Sequence, residues 1–224
     1  MAVTQATAAE IAEANERLAA ASAEEVLRWA AERFYPRLMM ATAFGAEVQL
    51  ISVRDLGLPL YTSEHATPAG AHDFADAVYR CDALIWSSPT YHGSVSGSFK
   101  NALDWLILLA ERNPPYLSNK PIGLVSTAGG VQGLQAVNSM EFIARALRGW
   151  SVPLVLPVPQ TRRSFDPDGH LVDEAIARQL RALGAEVVRA ARQFQAEGTC
   201  DYADDRQFAR HDDAVQPKAS SPAS

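Results

Sequence analysis

The residues best suited to hold a ligand lie in one short stretch, Ser88-Pro89-Thr90-Tyr91-His92-Gly93-Ser94. Gly93 has no Cβ, so backbone there can come close to a flat ring. Tyr91 offers a stacking face and His92 a polar edge, and backbone N–H groups leading into the next element can donate to ring oxygens and nitrogens. Ser126-Thr127-Ala128-Gly129-Gly130 forms a second cluster of small residues. No side chain in either cluster is assigned as an essential acid or base, and none as a metal ligand. Turn residues also gather at ordinary strand-to-helix connections, and composition alone does not separate the two uses.

The flanking sequence says how these clusters are positioned. Residues 83–87 are a short apolar run that reads as a buried strand. After Ser96-Gly97 a helical period begins, with Leu103, Leu106, Ile107 and Ala110 on one face. Trp105, Leu108 and Leu109 fall partly off that stripe and suggest a second apolar face for a partner. Residues 121–133 repeat the order of strand, small-residue loop and helix, the helix carrying Leu134, Val137, Met140, Ala144 and Leu147. Strand, loop and helix in succession place both clusters at the carboxyl edge of a parallel sheet, where open α/β sheets bind ligands.

The remaining elements follow the same logic. Residues 48–53 form a strand, Thr67-Pro68 begins a helix with proline in its first position, and 152–158 is an edge strand broken by prolines. Asp173 caps a last helix with Ile176, Leu180, Leu183, Val187, Ala191 and Phe194 at helical spacing. Asp166-Pro167-Asp168-Gly169 reads as a turn, because no spaced oxygen ligands follow it. Near the start, Thr7 with Glu10 and Ser22 with Glu25 form capping boxes for two helical pieces. Residues 38–42 are apolar and are expected to fill a slot beside 48–53, as an antiparallel hairpin around Phe44-Gly45.

The chain has 224 residues, enough for one α/β domain with appendages, and a net charge of −6 that argues against nucleic-acid binding. Cys81 and Cys200 have no metal-like or CxxC spacing. No apolar run is long enough to cross a membrane, and the first residues lack a signal peptide's order. These features predict a soluble cytoplasmic protein. The expected division is a helical segment over 1–47, a main domain over 48–197 and a disordered acidic, then Pro/Ser/Ala-rich tail over 198–224.

The run PTYHGSVSGSFKNALDW closely resembles the flavin-contacting loop of the NADPH-dependent FMN reductase family. The matches are Pro89, Tyr91, His92, Gly93, Ser94, Gly97, Lys100, Asn101, Leu103, Asp104 and Trp105. The resemblance implies a flavodoxin-like three-layer α/β/α fold with a parallel sheet. It implies FMN as cofactor, NADPH (or NADH) as co-substrate, and hydride transfer through FMN to a small acceptor such as a quinone. Pro89, Thr90, Tyr91, His92, Gly93 and Ser94 carry over as cofactor-binding residues, together with Ser126, Thr127, Gly129 and Gly130. His92 would then hydrogen-bond the ring or give it a proton. Members of that family pair as homodimers or homotetramers.

Residues 1–47, ending in ATAFGAE, instead resemble the start of the phosphoadenylyl-sulfate reductase family. The reactive-cysteine segment of that family does not follow, so its activity is not carried over. The flavin reductases' phosphate loop, roughly Gly-Ser-x-Arg-x-x-Ser, does not occur before Val48. The expected chain is thus a flavin reductase whose first strand and phosphate loop are replaced by a helical segment. Its alternative is a degenerate flavodoxin-like module without tight FMN binding or catalysis.

Overall fold

The computed structural model describes residues 40–41, 49–53, 55–64, 66–164, 166 and 171–196. The two N-terminal helical pieces, the Phe44-Gly45 turn, the Pro167–Gly169 turn and the tail from 198 lie outside the described residues.

The alternation of apolar side chains along the strands decides the layers. Leu84 and Trp86 of β3 (Leu84–Tyr91) and Ile122 and Leu124 of β5 (Pro121–Thr127) enter one core cluster, whereas Ile85 and Val125 enter another. Successive side chains on a strand point to opposite faces, so a strand apolar at every position must be covered on both. Over the first face lie α1 (Ala69–Arg80), α2 (Gly97–Asp104) and α3 (Gly133–Ala146). Over the second lies the long α5 (Glu174–Ala196), through Ile176, Leu183, Val187 and Ala191. A short α4 (Thr161–Ser164) precedes it. The result is a three-layer α/β/α sandwich.

The sheet order is β2 (Leu50–Ile51), β1 (Met40–Ala41), β3, β5 and β6 (Trp150–Val158), with β4 (Ser94–Val95) paired to β3 alone. β3, β5 and β6 are parallel. β6 is an edge strand, as Pro153 and Pro157 require. β1 fills the slot between β2 and β3 and runs antiparallel to both, pairing Met40 with Ile51 and Trp86, and Ala41 with Leu50 and Ile85. The antiparallel pairing with the 48–53 strand expected of the apolar run at 38–42 is therefore present at Met40 and Ala41.

Capping follows the sequence in part. Asp173 Oδ1 accepts from the N–H groups of Ala175 (2.9 Å) and Ile176 (3.2 Å), which fixes the start of α5. Ser96 caps α2 by accepting from Phe99 N–H at 3.3 Å. At α1 the expected order shifts by one residue: Pro68 is the cap itself and Ala69 the first helical residue. At the other end of α1, Lys120 Nζ donates to the carbonyls of Tyr79 (2.8 Å) and Cys81 (2.5 Å). Burial lowers the Lys120 pKa, against an upward pull from Cys81 and Asp82.

The expected second apolar face after α2 is not there. Trp105 (2 % exposed) and Leu109 (0 %) are buried, and Ile107, expected inside, is 43 % exposed. The reason is a change of period: Trp105–Leu109 is a 3-10 helix, with three residues per turn, so Leu103, Leu106 and Leu109 line up on one edge. Asn101 and Trp105 act together as a clamp. Asn101 accepts from Tyr61 N–H (2.8 Å) and donates to Pro59 O (2.9 Å), and Trp105 Nε1 donates to the same carbonyl at 3.0 Å. Tyr61 meets the Trp105 ring edge-on, centroids 5.2 Å apart. These motif residues hold the 59–61 segment. Lys100 pairs with Asp104 one turn on.

α5 can seat itself only because β5 has glycine beneath it. A Cβ on Gly123 would stand 2.8 Å from Val187 Cγ2 and 3.3 Å from Leu183 Cδ1 and Ile85 Cγ1. Gly123→Ala should lower the urea midpoint at unchanged m-value, by about 1–3 kcal/mol, the usual cost of overpacking. An unchanged midpoint would mean that α5 does not rest on β5.

Candidate functional site

β3 and β5 are parallel neighbours in register from Leu84↔Ile122 to Pro89↔Thr127. Their carboxyl ends therefore finish level, and the segments that follow them meet. β3 runs further than its sequence suggests. Ser88-Pro89-Thr90-Tyr91, expected as loop, is strand, because Thr90 and Tyr91 pair with Val95 and Ser94 of β4. The turn is only His92-Gly93, with φ of 49° and 81°. Positive φ at both central residues is what a tight hairpin of this kind needs, and the second is glycine. Ser88 Oγ accepts from Ser96 N–H at 3.0 Å and so ties the base of the hairpin to the start of α2.

The glycine loop after β5 is anchored from behind. Ala128 O accepts from Thr161 N (3.1 Å) and Thr161 Oγ1 (2.6 Å), and Gly130 O accepts from Gln160 N (2.9 Å). In a planar trans peptide the N–H points opposite to the carbonyl. The N–H groups of Gly129 and Val131 are thereby turned away from the 160–161 segment.

Between the His92-Gly93 turn and this loop lies a cavity of ≈ 350 Å³, lined by Thr90, His92, Gly93, Ala128, Gly129, Gly130, Gln132 and Gln135. Of the expected site residues, the structure brings Thr90, His92, Gly93, Gly129 and Gly130 together here. The others stand apart from it. Tyr91 is 59 % exposed at the hairpin's end, and Ser94 Oγ meets Ser139 Oγ at 3.4 Å. Pro89 is half-buried within β3, and Thr127 is buried at the end of β5. Ser126 is buried and its hydroxyl donates to Gly133 O at 2.5 Å, holding the first turn of α3.

Two glutamines complete the lining, and the sequence reading missed them. A Cβ on Gly93 would lie 3.0 Å from Gln135 Oε1, and one on Gly130 would lie 3.2 Å from Gln132 Oε1. Those two glycines make room for carboxamides. Gly129 differs: a Cβ there would meet nothing within 4 Å. The signal for Gln132 and Gln135 was their i, i+3 spacing at the helix start directly after Gly129-Gly130.

The NADPH-dependent FMN reductase family model matches residues 12–162 of this chain. The chain belongs to that family. The match begins ahead of the boundary expected at residue 48. An NADPH-dependent FMN reductase, ArsH, of Acidithiobacillus ferrooxidans is 28 % identical over 188 residues, 81 % of this chain and 77 % of that protein. An FMN-dependent NADPH-azoreductase of Staphylococcus haemolyticus is 36 % identical over 110 residues, 49 % of this chain and 55 % of that protein. Only about half the length of that azoreductase is spanned. Among solved structures, the flavoenzyme NAD(P)H:(acceptor) oxidoreductase FerB of Paracoccus denitrificans superposes with a TM-score of 0.52 at 22 % identity, covering 62 % of this chain and 77 % of that one. The fold is thus flavodoxin-like, and the protein is an NAD(P)H-dependent flavin oxidoreductase with FMN as its cofactor and NAD(P)H as co-substrate.

The residues present fit a flavin ring. The cradle at Gly129 is one that a side chain would fill, and Thr90 Oγ1, at the same cavity, is a buried hydroxyl without a hydrogen-bond partner among the described residues. Gly129→Leu separates binding from folding, since its Cβ meets no atom. It should leave the thermal midpoint unchanged and weaken FMN by about a hundredfold or more, about 2.8 kcal/mol. Gly93→Val is a poorer probe, because φ of +81° strains any β-branched residue. Undiminished FMN affinity in folded Gly129→Leu would move the ring elsewhere.

Proposed function

We propose that this cavity is where the flavin ring sits and where electrons pass from NAD(P)H to a small acceptor such as a quinone. The observation that carries the reading is the meeting of the His92-Gly93 turn with the Gly129-Gly130 loop at one cavity, on the carboxyl edge of paired β3 and β5. The flavin supplies the hydride chemistry. The chain's residues supply position. Thr90 and Gly93 form one wall, and Gly129 and Gly130 the opposite one. The N–H groups of Gly129 and Val131 serve as donors to ring acceptors, and His92 offers a further hydrogen bond at the rim. Tyr91, exposed beside the turn, is placed to cover a planar ring once one is bound.

The proposed location is the cytoplasm, and the proposed assembly a homodimer or homotetramer. Val131 (74 % exposed), Leu134 (50 %) and Phe142 (75 %) leave α3 and its approach with exposed apolar side chains, which supports the assembly. Among the described residues no helix is long and apolar enough to cross a membrane.

The test is spectroscopic. Protein reconstituted with FMN should lose its visible flavin absorbance on anaerobic addition of NADPH and regain it when a quinone is added. Retained absorbance in excess NADPH and NADH would contradict the reading. A mass of one chain at high concentration in the same sample would remove the assembly from it.

A further inference from the structure

Reduction of a quinone consumes one proton more than a hydride brings. The hydride leaves one carbonyl oxygen as an oxyanion, and that oxygen needs a proton before hydroquinone can depart. Flavin reduced by NAD(P)H supplies the hydride; water or a side chain has to supply the proton. Among the described residues that line the cavity, His92 is the ionisable one. Imidazole is also the side chain that gains and loses a proton near neutral pH.

The placement of His92 suits a proton carrier. It is the first residue of the two-residue turn, held at φ of 49°, and it is exposed, so water can return a proton that it gives. Residues 93–99 and 126–140, which border the turn, contain no charged side chain, so none of them ties the imidazole up in an ion pair. Beside it stands a hydrogen-bond donor for a carbonyl. A Cβ on Gly93 would lie 3.0 Å from Gln135 Oε1, which puts the Gln135 carboxamide against the turn. One helical turn further along α3, Ser139 Oγ lies 3.4 Å from Ser94 Oγ. The same face of α3 thus runs along the hairpin tip and sets His92 and Gln135 side by side.

We propose that His92 is the catalytic acid for the electron acceptor. A quinone carbonyl oxygen, hydrogen-bonded by Gln135, becomes an oxyanion as the hydride arrives and takes the proton of the imidazolium. The O–H bond forms as the N–H bond breaks, hydroquinone leaves, and the neutral imidazole takes a new proton from water. The inference rests on the cavity being the ring pocket, as above.

The experiment compares two acceptors on the full-length, FMN-loaded protein. Benzoquinone needs the proton, whereas ferricyanide takes single electrons and needs none. The ratio of their rates therefore cancels any change in flavin binding or in reduction by NADPH. His92→Asn tolerates the positive φ and keeps a hydrogen-bonding side chain, but has no acidic proton to release. Its quinone-to-ferricyanide ratio should fall by at least about tenfold, since a general acid typically contributes about a hundredfold or more. In His92→Gly, imidazole added to the buffer should restore the ratio. Hydroquinone added to the oxidised protein should shift the ring resonances of His92 in NMR spectra, which reads contact without turnover. A smaller fall in the ratio, no restoration by imidazole, or unmoved His92 resonances would each overturn the proposal. The two readings fail differently. Flavin that NADPH reduces, with an unchanged ratio in His92→Asn, sinks this inference alone, whereas flavin that NADPH never reduces sinks the ring-pocket reading with it.

Discussion

The parallel ladder between β3 and β5 is the interaction on which the rest depends. Its register, from Leu84↔Ile122 to Pro89↔Thr127, brings two strands to the same edge at the same height. Neither following segment makes a site by itself. The His92-Gly93 turn is a hairpin tip, and Gly129-Gly130 is a strand-to-helix connection. A cavity exists because the ladder sets them face to face, and because Trp86, Ile122 and Leu124 fasten the ladder under α3 while Ile85 and Val125 fasten it onto α5. A slip of β5 by one residue would turn Ile122, Leu124 and Val125 to the wrong layer.

The second constraint is the slot on the other side of β3. A central strand buried on both faces leaves backbone donors and acceptors that must be paired. Met40 and Ala41 pair with Trp86 and Ile85 of that strand, and they do so in the antiparallel sense. Backbone hydrogen bonding is satisfied almost equally well by either direction, but function is not. Direction decides which sheet edge receives the carboxyl end of the strand, and thus which edge gains the backbone N–H groups of a following loop.

Much of this was legible in the residues. The apolar run at 83–87, the small-residue clusters after it and after Thr127, and the Asp173 cap all point to structure that is present. The misplaced parts share one cause, tertiary context overriding local preference. Ser88 to Tyr91 look like turn formers, yet pairing with β4 and β5 extends them as strand. Leu109 falls off an α-helical stripe and is buried because the helix tightens to a period of three, whereas Trp105 is held against Pro59 and Tyr61. Asn101 and Trp105 sit within a flavin-loop motif but spend their hydrogen bonds on Pro59 and Tyr61. Ser126, expected as a ligand contact, gives its hydroxyl hydrogen bond to Gly133 O at the start of α3. A hydroxyl's partner is a matter of three-dimensional neighbours, which spacing does not encode.

The central claim is that one cavity, between the tip of the β3–β4 hairpin and the glycine loop after β5, holds the flavin ring. Amide hydrogen exchange with and without saturating FMN addresses it most directly, because it reads the backbone of both loops without any substitution. The account predicts slowed exchange in peptides covering residues 88–96 and 128–136 together, with α5 unchanged. Unaltered exchange in those peptides, with protection appearing at another edge of the sheet, would contradict it.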